Sequence, residues 1–387
     1  MIRPVFLVLC VAAFVILSGG IGCGGSTSSL GCNAGDVGCA TSTPLPVCDA
    51  GNAGCASSTP LPVCDAGDGL TAPIRIVSNQ EYMNTMAVSD GRLYWNVSWP
   101  STDGGPYRQA AMTAATTACD ATPSVFAEAD DIYAIVLGAD RVYWSGSGAT
   151  WSKPKSGGNA TLFSASCAQV LFVDETDAFC SSPGPYTPAM GTWYGRILRV
   201  DLASGAVTEI FAEQSLNVVG LTADAANVYF SSGTKVRRVP RSGGTAVDIA
   251  TDQVNPASVA VDSERVYWVN AGHTRVVDMW LGDGSIMSAL LGGGTPRVLG
   301  ENFAGLVSMA IDSTFIFASG SPITTDHTPL VRVPLDGSGT AVIMVPSVGS
   351  LSARLATNQM AIDASNVYFM DIYGSVYRVA KTYSAQP

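Results

Sequence analysis

The stretch Val259-Ala260-Val261-Asp262-Ser263-Glu264-Arg265-Val266-Tyr267-Trp268 decides the fold. It reads as a short apolar strand, a polar turn and a second strand that ends in an aromatic pair, the pattern of a buried β-hairpin. The pattern returns from Met86 to Trp95, Ile135 to Trp144, Leu171 to Phe179, Leu221 to Phe230, Met309 to Phe317 and Met360 to Phe369. Its anchor aromatics, Tyr94, Tyr143, Phe179, Tyr229, Tyr267, Phe317 and Tyr368, lie 36 to 51 residues apart. A third strand follows, often Arg-Val-Pro ahead of a glycine turn, as in Arg238-Val239-Pro240 and Arg332-Val333-Pro334. A fourth comes after it, as in Val247-Asp248-Ile249-Ala250. Four short strands repeated at about 40–50 residues make a propeller blade. The expected fold is therefore all-β, a seven-bladed β-propeller of four-stranded blades over residues 71–387.

The seventh repeat reaches its third strand at Ser375-Val376-Tyr377-Arg378-Val379. Ahead of the first repeat, Ala72-Pro73-Ile74-Arg75-Ile76-Val77 reads as a fourth strand without a blade. The N-terminal strand is expected to complete the last blade, because closure removes an open sheet edge at the seam. Inner strands made of small apolar residues let seven blades crowd round one axis, and the aromatic pairs are read as filler between blades.

The aromatic repeats resemble the Tyr-Trp-Thr-Asp propellers of lipoprotein receptors, and Leu335-Asp336-Gly337 matches their leucine-aspartate-glycine turn. Asn96-Val97, Ser145-Gly146 and Val269-Asn270 stand where that family has Thr-Asp, and its propellers have six blades. The chain is also similar to the repeat-built propeller lipoproteins that bacteria export.

Residues 1–22 read as a lipoprotein signal peptide. Arg3 gives a positive start, and the apolar run from Val5 to Leu17 is 13 residues, short of a bilayer span. Small residues lead to Ile21-Gly22-Cys23, which resembles the lipobox of bacterial lipoproteins. The resemblance implies acylation of Cys23 and membrane attachment through lipid. Residues 23–70 read as a Cys/Pro/Gly-rich tether: Gly38–Gly51 recurs almost unchanged as Gly54–Gly67, a period of 16. Too few large apolar residues are present there to pack a core. The expected location is periplasmic or facing outward from the outer membrane or cell surface, where disulfides form. Cys167 and Cys180, 13 apart, are expected to pair across a blade junction, which leaves a tether cysteine for Cys119.

The formal charge is −11, and no basic patch is present, which argues against nucleic acid as a partner. The chain has two histidines and no His-Glu-x-x-His, Gly-x-Ser-x-Gly or phosphate-loop motif, so no metal and no cofactor is expected. Extra length in the long repeats falls mostly between second and third strands, on the face shared with the connections between blades. Binding residues on a rigid scaffold concentrate in such loops. The candidates are Trp99, Tyr107, Tyr186, Trp193, Tyr194, Arg275 and Trp280. The reading is a non-catalytic scaffold for a protein or glycan. The alternative is a propeller lyase or hydrolase that uses His273, beside Asp278, or His327, beside Asp326. Polar residues such as Asn79, Gln80, Gln253, Asn255 and Asn302 are expected to ring the mouth of a hydrated channel.

Overall fold

The computed structural model describes residues 73–384, apart from 81, 100–107, 120, 130, 188–191, 277–278, 281, 304, 321–328, 346–359 and 372–373. The backbone alone is described at 170, 184–187, 192–194, 274–276 and 279–280. The signal peptide, the tether and Cys23 lie outside the described residues. All regular structure among the described residues is strand.

Seven four-stranded antiparallel sheets form the ring, and each is a meander from an inner to an outer strand. Blade one comprises Met86–Ser89, Arg92–Trp99, Arg108–Ala115 and Ser124–Ala129. The inner strands of blades two to seven are Ala134–Leu137, Gln169–Val173, Val218–Ala223, Pro256–Val261, Leu306–Ile311 and Met360–Ile362. Blade seven takes its outer strand from the other end of the domain. Ile74–Val77 pairs antiparallel with Val376–Ala380, with Ile74 opposite Arg378 and Val77 opposite Val376. The seven-bladed, closed ring expected from the repeats is the observed fold.

The aromatic pairs are packing. Trp95, Trp144 and Trp268 are wholly buried, as are Tyr94, Tyr229, Tyr267 and Tyr368. Tyr94 meets Phe126 edge-on, with ring centroids 5.1 Å apart, in a cluster with Ile135 and Trp144 of blade two. Buried side chains of this size supply the main stabilisation between blades, about 1.5–3 kcal/mol each. In blade three the tryptophan position is Cys180, and a disulfide to Cys167 fills the wedge there; both cysteines are fully buried.

The first hairpin of most blades turns on an aspartate. Asp224 Oδ1 accepts the amides of Ala226 and Asn227, both at 2.7 Å. Asp262, Asp312 and Asp363 repeat the turn with both amides at 2.8 Å. The other carboxylate oxygen needs its own donor. In the tyrosine blades the anchor hydroxyl supplies it, from Tyr229 to Asp224 at 2.7 Å, Tyr267 to Asp262 at 2.7 Å and Tyr368 to Asp363 at 2.6 Å. The phenylalanine blades lack that hydroxyl, and a cation from the next blade replaces it. Arg241 of blade four donates to Asp174 at 2.6 Å and lies 4.9 Å from the Phe179 ring centre. Lys381 of blade seven donates to Asp312 at 2.8 Å over Phe317. Arg241 and Lys381 occupy one repeat position, just after the third strand, which is Leu291 and Leu335 opposite the tyrosine blades four and five. The amide of this position closes the same bond in every blade, as from Arg241 to Ala226 and from Leu335 to Thr314.

A second exchange concerns arginine. Arg199, Arg238, Arg332 and Arg378 on third strands each donate to a backbone carbonyl of the following blade: Arg241, Leu291, Lys381 and Thr116. The last of these bonds crosses the seam from blade seven to blade one. Blades one, two and five carry Thr113, Ser152 and Ser288 at that position. In those blades an arginine on the second strand reaches the hydroxyl instead, from Arg92, Arg141 and Arg265.

Burial alone raises the Asp224 and Asp363 carboxyls, but the tyrosine hydroxyl and the turn amides outweigh it and hold both below the ordinary value. A depressed carboxyl stabilises the fold above its unfolded pKa, near 3.9, and loses that contribution as pH falls through the folded value. Melting temperature is therefore expected to drop steeply only below about pH 4. Arg241→Leu should cost about 1.5–3 kcal/mol, the scale of a charged hydrogen bond. Adding Phe179→Tyr should recover part of the loss by supplying the missing hydroxyl. Denaturant melts of the two single variants and the double variant measure this coupling.

Candidate functional site

The antiparallel meander divides the connections between two faces. The aspartate turns lie on one face together with the turns between third and fourth strands. The other face collects the connections between second and third strands and those from one blade to the next. Of the sequence-predicted binding residues, the described Trp99, Tyr186, Trp193, Tyr194, Arg275 and Trp280 lie on strand ends and connections of this second face.

Blade three dominates it. Its middle strands, Asp177–Thr187 and Thr192–Asp201, stay paired past the Pro183–Gly195 position to Tyr186–Trp193 and Thr187–Thr192. The corresponding strands of blades two and four end at Gly146 and Ser232. At about 3.3 Å per residue, the five-residue overrun from Ser182 extends the ribbon by roughly 16 Å. Tyr186 and Trp193 are direct cross-strand partners on it, and Tyr194 opposes Gln214 on the outer strand Val207–Gln214.

Blade five carries a small extra hairpin, Thr274–Val276 with Met279–Trp280, in which Trp280 opposes Thr274. Arg275 lies on its first strand. The hairpin is anchored at its base. His273 donates its amide to Asp283 Oδ1 at 2.8 Å, and its Nδ1 lies 2.6 Å from Asp283 Oδ2. Asp283 is thus a partner of His273; the expected Asp278 lies outside the described residues. Gly272, at φ +88°, is required here: a Cβ on it would lie 2.3 Å from Asp283 Oδ1. Burial raises the Asp283 carboxyl, but the His273 imidazole and amide outweigh this and hold it low. Both members of the pair are exposed, with side chains 60% and 43% accessible.

Trp99 is half-buried and packs against the apolar cluster shared by blades one and seven. Tyr107, His327 and Asp326 lie outside the described residues. Several polar residues read as a channel rim serve the frame. Gln253 Oε1 accepts from Trp268 Nε1 at 2.9 Å and Asn270 Nδ2 at 3.0 Å. Asn255 Nδ2 donates to the Gly272 carbonyl at 2.8 Å. Asn79, Asn255 and Asn302 sit at φ between 52° and 66°, a left-handed conformation that asparagine tolerates. Among the described residues no group of histidine, cysteine or acidic side chains is arranged to hold a metal.

Two aromatics that sequence reasoning passed over stand out on this face. Tyr82 is 64% exposed at φ +48°, and Tyr133 is 48% exposed. Both lie on connections into inner strands, of blades one and two. Their signal was position: each falls between a fourth strand and the next inner strand, outside the pattern that buries the anchor aromatics.

No protein-family model and no curated protein matches the chain. Solved structures share the architecture. Pyrococcus horikoshii acylaminoacyl peptidase is 8% identical at a TM-score of 0.55, covering 74% of this chain and 48% of its own. A Niastella koreensis GH74 enzyme is 12% identical at 0.53, over 81% and 54%. The β-propeller domain of the Trilobed protease from Pyrococcus furiosus is 9% identical at 0.50, over 79% and 92%. This chain thus spans about half the length of the first two. The third is described as having an open velcro topology, whereas here Ile74–Val77 closes the ring. At these identities the likeness is one of fold, and it places the chain among β-propellers.

The Cys167–Cys180 disulfide, with Cα atoms 5.5 Å apart, fits an exported protein. Replacing both cysteines with alanine should cost about 3 kcal/mol, the entropy of a loop near this length, and a denaturant melt of the double variant measures it.

Proposed function

We propose that this is an exported propeller, held at the membrane by lipid on Cys23, that binds a protein or glycan partner through its loop face without catalysing a reaction. The observation that carries the reading is the blade-three ribbon, which extends beyond the neighbouring strand ends with Tyr186 and Trp193 paired across it. Tyrosine and tryptophan bring large contact area at low entropic cost, and rigid ribbons present it without an ordering penalty. Tyr194, Arg275, Trp280, Trp99 and Tyr107 belong to the same proposed surface, with the exposed Tyr82 and Tyr133 alongside.

A second reading has one observation in its favour. The Asp283 carboxylate holds Nδ1 of the exposed His273, an arrangement that orients an imidazole for acid–base work in a lyase or hydrolase. Tyr186→Ala/Trp193→Ala and His273→Ala separate the two. Thermal-shift and pull-down assays on the exported full chain, against a panel of envelope glycans and solubilised envelope proteins, should detect a partner that the ribbon variant loses at least tenfold. His273→Ala should bind normally. Retained binding by the ribbon variant sinks the proposal, and a turnover abolished only by His273→Ala establishes the enzyme instead.

A further inference from the structure

Cys119 lies in the turn between the third and fourth strands of blade one, exposed to solvent. The turn sits against the closing strand: the amide of Ala121 donates to the Ile76 carbonyl at 2.9 Å. Ala118, beside Cys119, packs onto the cluster that contains Ile76, Val77 and Val376. Cys119 is disulfide-bonded, and the other two described cysteines, Cys167 and Cys180, are bonded to each other. For a bond within one chain, the partner is one of the seven cysteines between 10 and 64.

The repeats in that segment indicate which one. The unit Cys32-Asn33-Ala34-Gly35-Asp36-Val37-Gly38-Cys39 opens and closes on cysteine, and Cys48-Asp49-Ala50-Gly51-Asn52-Ala53-Gly54-Cys55 repeats it. A third copy begins at Cys64-Asp65-Ala66-Gly67-Asp68 but has Thr71 where the closing cysteine belongs. Two units can each close on themselves, whereas the third has an opening cysteine only. We propose that Cys64 bonds to Cys119 and staples the lead-in of the closing strand onto blade one.

The chain between Cys64 and Ile74 spans roughly 30 Å when extended, ample to reach the turn. In forming the bond the two thiols lose two protons and two electrons. Both electrons pass to the disulfide of an oxidised dithiol carrier in the export compartment, which leaves as the dithiol. The staple changes where a pull on the N-terminal segment is felt. Without it, tension arrives at Ile74 and can strip a four-residue strand from Val376–Ala380 one hydrogen bond at a time. With it, tension passes into blade one through Cys119 and bypasses the closing strand.

The test uses the full chain, exported and oxidised, unfolded without reductant and labelled with a maleimide. Wild type should label at neither Cys64 nor Cys119. Cys119→Ser should expose one thiol per chain, mapped to Cys64 by peptide mass. Cys64→Ser should expose Cys119 and lower the melting temperature, while circular dichroism keeps the strand spectrum. A thiol mapped to any other cysteine in Cys119→Ser, or labels spread over several, overturns the pairing, as does a labelled Cys119 in wild type.

Discussion

The half-buried aspartate carboxylate at the head of a blade constrains much of this ring. Its first oxygen ties the hairpin through two backbone amides, and its second faces the aromatic wedge, where an absent donor is costly. A tyrosine in the wedge supplies the donor from within the blade. A phenylalanine obliges the next blade to send a cation, and that cation then lies over the phenylalanine ring, so one contact satisfies the carboxylate and joins two blades. The arginines obey a parallel rule, with one guanidinium per blade placed on either the second or the third strand. Where it stands on the third, it also grips the next blade's backbone.

The period, the anchor aromatics and the closing strand were legible in the sequence because each rests on local pattern. Alternation marks the strands, bulky apolar residues mark the wedge, and a strand without a blade marks the seam. The exchange between hydroxyl and cation was not legible. Asp174 and Arg241 are 67 residues apart, and each looks like an ordinary turn residue until the ring brings them together. The Arg-Val-Pro signature was visible in the third strands. Its counterparts Arg92, Arg141 and Arg265 were hidden, because the arginine had moved to the neighbouring strand and left a serine or threonine behind.

The candidate surface was read less well, for a physical reason. Residue type says what a side chain can contact, but backbone geometry decides whether it serves the frame or the solvent. Gln253 and Asn255 looked like a channel rim, yet they hold the blade-five connection by capping Trp268, Asn270 and Gly272. Trp99 looked like a loop aromatic, yet it leans on the cluster between blades one and seven. For His273 chain proximity pointed to Asp278, whereas the turn at Gly272 brings Asp283, ten residues on, within reach of its ring.

The two phenylalanine junctions also constrain which repeats can follow one another. Blades of near-identical outline invite duplication and loss by unequal recombination. Yet a duplicate of blade three inserted after itself would set an Asp174-like carboxylate against a Leu202-like side chain, with neither hydroxyl nor cation to meet it. Deleting blade four would do the same by bringing Leu291 to that place. The two phenylalanine junctions thus accept only a successor that brings a cation, which ties blades three and six to the neighbours they have.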